Sequence, residues 1–96
     1  MEFRRERDLL IGSPHLINVA KVLHPFYVTV QQIQGEFIVT SDVSDVYESG
    51  DASEQAVLNY LYSLVDELLW FQGHKESLSY SMFKDFKRLQ FYLGWV

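Results

Sequence analysis

From Pro25 onward the chain alternates. Phe26, Val28 and Val30 share one side of an extended segment, and Phe37 and Val39 share one side of Glu36–Thr40. Both runs are dense in aromatic and β-branched residues, which fit a pleated, half-buried surface. Gln34-Gly35 supplies the turn between them, Asp42-Val-Ser-Asp45 reads as a bend, and Val46-Tyr-Glu48 as a short third strand. Three antiparallel strands with short connections are the economical arrangement. The period then changes. Val57, Leu61, Leu64, Leu68 and Phe71 recur at i, i+4, i+7, i+11 and i+14, predicting a helix from about Ala52 to Gln72 that ends at Gly73. Val65, Leu69 and Trp70 widen this stripe beyond what three strands cover, so the helix needs a second cover from the last helix or another subunit. Met82, Phe86, Leu89 and Leu93 form the stripe of a final helix over Leu78 to Leu93.

Before Pro25 the pattern is weaker. Pro14 and Pro25 bracket Leu16–Leu23, where Leu16, Ala20 and Leu23 at i, i+4 and i+7 favour a short helix. The first eleven residues read as an arm, ordered only where it docks. The expected fold is α+β, one domain over 1–96. Residues 1–24 are an N-terminal arm and short helix, 25–73 a three-stranded antiparallel sheet packed on one long helix (βββα), and 74–96 a C-terminal helix.

The segment Ser49-Gly-Asp-Ala-Ser-Glu54 joins strands to helix. Gly50 is free to take a positive φ. Asp51 is placed as N-cap with Glu54 three residues on, a capping box that stabilises by about 1 kcal/mol. Those side chains are then occupied by the backbone, which makes the segment a fold marker and not a ligand loop.

At 96 residues, with 48% apolar and 16% aromatic content, the chain is long enough for one core. No apolar run approaches the roughly 18–20 residues that cross a bilayer, and Leu9-Leu-Ile11 after the basic start is too short for a secretory segment. A cytoplasmic protein is the expectation, and without Cys there is neither disulfide nor thiolate chemistry. Charge is informative in its distribution. All eight Lys and Arg lie at positions 4–21 or 75–88, whereas 22–74 holds only acids, among them Glu36, Asp42, Asp45 and Glu48. Such a segment repels a phosphate backbone and attracts a basic protein.

Catalytic constellations are weak. His15, His24 and His74 are scattered without metal-ligand spacing, so neither metal nor cofactor is expected. Glu36, Thr40, Asp42, Ser44 and Glu48 share parity, which opens a metal-dependent nuclease reading, although alternating acids are usually a wet strand face. Neither a Ser-His-Asp set nor a glycine-rich phosphate loop is present. In Phe83–Phe91, Lys84, Lys87 and Arg88 interleave with aromatics; with Arg4, Arg5 and Arg7 they define an alternative, nucleic-acid-associated reading. A solvated basic face on an amphipathic helix is the preferred account of that helix.

Gly50-Asp51-x-x-Glu54-x-Ala56-x-x-Asn59, following the hairpin-like Gly35-Glu-Phe-Ile-Val39, resembles the HicB-like antitoxin family over roughly Phe26 to Phe71. The resemblance implies a partial ribonuclease-H-like βββα unit. It also implies a non-catalytic module that self-associates, most simply as a dimer, and masks a small basic RNA-cleaving toxin. No DNA-binding segment follows the unit, and Asp42-Val-Ser-Asp45 stands where the family carries a proline-glycine bend. The resulting expectation is a binding module whose acidic sheet surface, Glu36, Asp42, Asp45 and Glu48, meets a basic protein partner.

Overall fold

The computed structural model describes residues 4–96, with side chains described from Glu6 onward. Its architecture is α+β, with two helices and two antiparallel sheets. The larger sheet has the order β1-β4-β5-β6, formed by β1 (Arg4–Ile11), β4 (Phe26–Ile33), β5 (Glu36–Ser41) and β6 (Ser44–Gly50). The smaller sheet, β2-β3-β7, joins β2 (Leu16–Ile17) and β3 (Ala20–Val22) to β7 (Leu93–Trp95). Two helices, α1 (Ser53–Gly73) and α2 (Tyr80–Tyr92), follow β6 in the chain, with a short 3-10 turn at Lys75–Ser77 between them.

The expected alternation places β4 correctly. Phe26, Val28 and Val30 are buried beneath α1, while Tyr27 faces away and is exposed. Gln34 and Gly35, with φ of 52° and 81°, make the tight reversal into β5. Both residues in left-handed conformation match the twist of an antiparallel pair. Successive hairpins then bring β6 alongside β5, and α1 lies across β5 and β6. Ala56, Val57, Tyr60, Leu61, Leu64, Val65, Leu68 and Phe71 form its buried stripe. Val43 is buried although it sits in the β5–β6 turn, because the turn folds its side chain into the core.

The sequence expectation is corrected at several points. The sheet has four strands and not three. The supposed arm is β1, paired with β4 from Arg4↔Ile33 to Ile11↔Phe26. Residues Leu16–Leu23 are not a helix. Asn18 at φ 55° turns the chain between β2 and β3, and Ile17, Ala20 and Val22 all bury on one side of the small sheet. The i, i+4, i+7 coincidence concealed a period-two pattern. The expected cap is absent as well. Helix α1 starts at Ser53 with Ala52 as N-cap and no side-chain cap bond; Asp51 is exposed. Glu54 does sit in the first turn, where an acid suits the positive helix end.

Gly50 has another role than positive φ. A Cβ there would lie 3.0 Å from the backbone nitrogen of Ala56, so glycine allows β6 to meet α1 closely. Gly73 closes α1 from inside its last turn, and His74 finishes it: its N–H donates to the Phe71 carbonyl, and its Nδ1 lies 2.8 Å from the Trp70 carbonyl. Ser79 caps α2 by accepting from the Met82 N–H at 3.2 Å. The last residues are a strand: Trp95 pairs with Ala20 and Leu93 with Val22.

Candidate functional site, an open sheet face

The register divides the large sheet into two unlike faces. On the helix side a row of polar groups joins α1 to the β5–β6 hairpin. Ser44 Oγ donates to Glu67 Oε2 at 2.6 Å, Ser63 Oγ donates to Glu48 Oε1 at 2.5 Å, and Asn59 Nδ2 donates to the Ser49 carbonyl at 3.0 Å. Ser41 Oγ and Tyr60 Oη share a hydrogen bond of 2.6 Å. Burial pushes the Tyr60 hydroxyl above its ordinary pKa, opposed by the Ser41 bond and assisted by Glu67, Asp42 and Asp45. Burial also raises the Glu67 carboxyl, against the Ser44 bond; Asp85 and Asp45 add to the rise and Arg88 opposes it. No buried polar side-chain atom lacks a partner among the described residues. The row fastens helix to hairpin.

The opposite face is uncovered. Leu10 pairs with Tyr27, Asp8 with Thr29, and Gln31 with Ile38, all pointing away from α1. Leu10, Tyr27 and Tyr47 are 52%, 63% and 68% exposed, so nothing packs over them. Thr29 Oγ1 donates to Asp8 Oδ1 at 2.9 Å, holding that carboxylate on the face. Glu6, Asp8, Glu36 and Asp45 all belong to this side by register, as does Arg4, whose side chain lies outside the described residues. The face is amphipathic and acidic: two tyrosines and aliphatic residues among carboxylates.

The predicted acidic surface is therefore split. Glu36 and Asp45 lie on the open face but at opposite ends of the β5–β6 hairpin, roughly 15 Å apart at ~3.3 Å per residue. Asp42 is exposed in the turn, and Glu48 lies beneath α1 on Ser63. The shared parity fails because Ser41 pairs with Ser44 across a two-residue turn. Even positions of β5 then share a face with odd positions of β6. A nuclease site built from these acids loses its geometry, and no cluster of three metal-ligating side chains occurs among the described residues. The same register shows what the sequence reading missed: Asp8, Tyr27 and Tyr47, whose signal was the outward half of each alternation.

The cations of the nucleic-acid alternative do not converge either. The side chains of Arg4 and Arg5 lie outside the described residues. Arg7 Nη2 donates to Ser53 Oγ at 2.6 Å, at the start of α1. Lys84 and Lys87 lie over the Tyr80 and Phe83 rings at 5.3 Å, and Arg88 pairs with Asp85 at 3.4 Å, all on α2, which packs through Phe86 on Phe71 near the far end of α1. Two histidines are occupied by aromatic rings, His24 stacked on Phe91 and His74 on Trp70. A cleft of about 570 Å³ opens where β1, β4 and β5 meet, lined by Glu6, Arg7, Val30, Gln32 and Phe37. None of its polar groups forms a nucleophile–base pair. No helix of the described residues is long and apolar enough to cross a membrane. The chain matches no protein-family model, no curated protein and no solved structure.

Proposed function

We propose that this protein is a non-catalytic binding module, of the HicB-like antitoxin type, that receives a basic protein partner on the open face of its four-stranded sheet. The observation that carries the reading is that face: Tyr27 and Tyr47 exposed on a sheet whose carboxylates, Glu6, Asp8, Glu36 and Asp45, outnumber Arg4, the cation the register places among them. Aromatic anchors inside a charged rim are the usual anatomy of a protein–protein contact. The acidic rim attracts a basic protein and speeds its encounter. The partner class implied by the resemblance, a small basic RNA-cleaving protein, has this charge. The engaged acids differ from those expected, since Glu48 is held under α1.

The test is binding to a small basic protein encoded beside this chain, by calorimetry, with the wild type and with Asp8→Lys/Asp45→Lys. The wild type binds, affinity falls as salt rises, and the reversed variant loses at least ~10-fold while its circular dichroism is unchanged. Equal binding by both proteins would sink the reading. So would a genomic neighbourhood without such a protein, together with identical proteins captured from cells by both. Salt-sensitive binding of RNA or DNA lost on Lys84→Glu/Lys87→Glu would instead favour the nucleic-acid alternative.

A further inference from the structure

Strand β1 stands at one end of the larger sheet and pairs only with β4 among the described residues. Its outer edge is a row of unpaired main-chain groups, a template for one more strand. The register tells which groups these are. Gln34-Gly35 is a two-residue hairpin turn, so its closing pair, Ile33 and Glu36, exchange hydrogen bonds. Odd-numbered residues of β4 then turn their N–H and C=O toward β5, and even-numbered residues turn theirs toward β1. Arg7, Leu9 and Ile11, opposite Val30, Val28 and Phe26, are bonded inward. Glu6, Asp8 and Leu10 present their N–H and C=O to the open edge.

Sheet edges are usually blunted, and the other end of this sheet is. The pairing of β6 with β5 shifts register, and Asn59 Nδ2 occupies the Ser49 carbonyl. By contrast β1 runs for eight residues without proline or lysine, and its register with β4 is unbroken. Residues Glu6 to Leu10 are all exposed.

We propose that the basic partner is held by strand addition, an extended segment of it pairing with β1 and continuing the sheet. The inference rests on the basic-partner reading and deepens it by naming how the partner is gripped. Glu6, Asp8 and Leu10 also carry their side chains on the open face. The residues set opposite them are therefore basic, basic and apolar, since opposite charges across a pair stabilise and like charges do not. The cleft lined by Val30 and Phe37 opens beside this edge and leaves room for side chains on the other face of the added strand. A second copy fits the edge poorly. Antiparallel pairing of two β1 edges must set Glu6, Asp8 and Leu10 against one another. The two registers of greatest overlap then bring Arg7 against Arg7 or Asp8 against Asp8.

The probe is a synthetic peptide of about nine residues alternating Lys with Val, beside the same peptide N-methylated at its Lys amides. Those amides face β1 in the added strand, so methylation removes the pairing and keeps every charge. Amide exchange of the full chain, followed by NMR, should show Glu6, Asp8 and Leu10 protected by the plain peptide and not by the methylated one. Leu10→Pro removes an outward N–H, a change that edge strands tolerate. It should lower affinity for the plain peptide at least ~10-fold, the scale of one hydrogen bond, with unchanged circular dichroism. Equal binding of the two peptides, unchanged exchange at the three amides, or no binding at about 1 mM would each overturn the proposal. Should Leu10→Pro not fold, the peptide pair on the wild type decides alone. With the small basic protein encoded beside this chain, equal binding by wild type and Leu10→Pro would end strand addition and leave the face reading standing. If that protein fails to bind the wild type, the face reading falls, and the peptides still decide the edge.

Discussion

Glu67 is held between one hydroxyl donor and two carboxylates that share its charge, Asp85 and Asp45. Burial raises its pKa in the folded state above the ordinary 4.5, so folding favours the neutral acid. Its contribution to stability is therefore fully present below pH 4.5 and is lost as the pH rises through the elevated folded value. Glu67→Gln keeps an acceptor for Ser44 and removes the charge. Thermal melts should show the variant more stable than the wild type at pH 7, by a few degrees, with the gap closing at pH 4. Tyr60 presents the complementary case. Its hydroxyl is satisfied by Ser41, which also accepts from the Val43 N–H at 3.1 Å. Tyr60→Phe should cost about 1 kcal/mol in urea unfolding, since Ser41 keeps one partner. A loss above roughly 3 kcal/mol would show that the ring, not the bond, had moved.

At the level of elements, the junction between β6 and α1 separates two accounts of one short segment. If Asp51 capped the helix, Asp51→Ala would cost about 1 kcal/mol. With Ala52 as N-cap and Asp51 exposed, the change should stay within ~0.5 kcal/mol. Gly50→Ala should be the damaging substitution, by roughly 1–3 kcal/mol, because its Cβ meets backbone that cannot yield easily. Chemical denaturation of both variants decides between cap and close approach. The elements themselves were unevenly legible. Strands β4 and β5 and helices α1 and α2 declare their periods over long runs, and the structure places all four where the pattern put them, within a few residues. Strand β1 was hidden because Arg5-Glu6-Arg7-Asp8 looks like a solvated run, and its order comes from pairing with β4. Strands β2 and β3 are too short for any period to outvote a chance spacing of Leu16, Ala20 and Leu23. Site residues suffered from the turn: whether Glu36 and Glu48 share a face depends on one pairing, Ser41↔Ser44, that composition does not reveal.

The whole molecule is thin, 17 Å along its shortest Cα extent against 48 Å along its longest. One sheet with one helical layer fills that thickness, which is why the second sheet face remains uncovered. Mixing Asp8→Lys, Glu36→Lys and Asp45→Lys on that face should leave the melting temperature nearly unchanged, because exposed charges contribute little to stability. A large loss would mean that the face is packed and not open. The small sheet has a different consequence, in the order of assembly. Val39 meets Glu48 across a short hairpin, and α1 follows directly, so the β5–β6–α1 region closes short loops. Ala20 meets Trp95 only after nearly the whole chain lies between them. Pairings of such sequence separation pay loop-closure entropy before any contact rewards it, and they slow folding. The β3–β7 pair should therefore form last and open first, as a clasp that releases α2 while the large sheet persists. Native-state hydrogen exchange should find the Leu23 and Val96 amides, which donate to the Tyr92 and Val19 carbonyls, exchanging through a smaller opening than Val39 and Leu64, so that the protein loosens from its clasp before it unfolds.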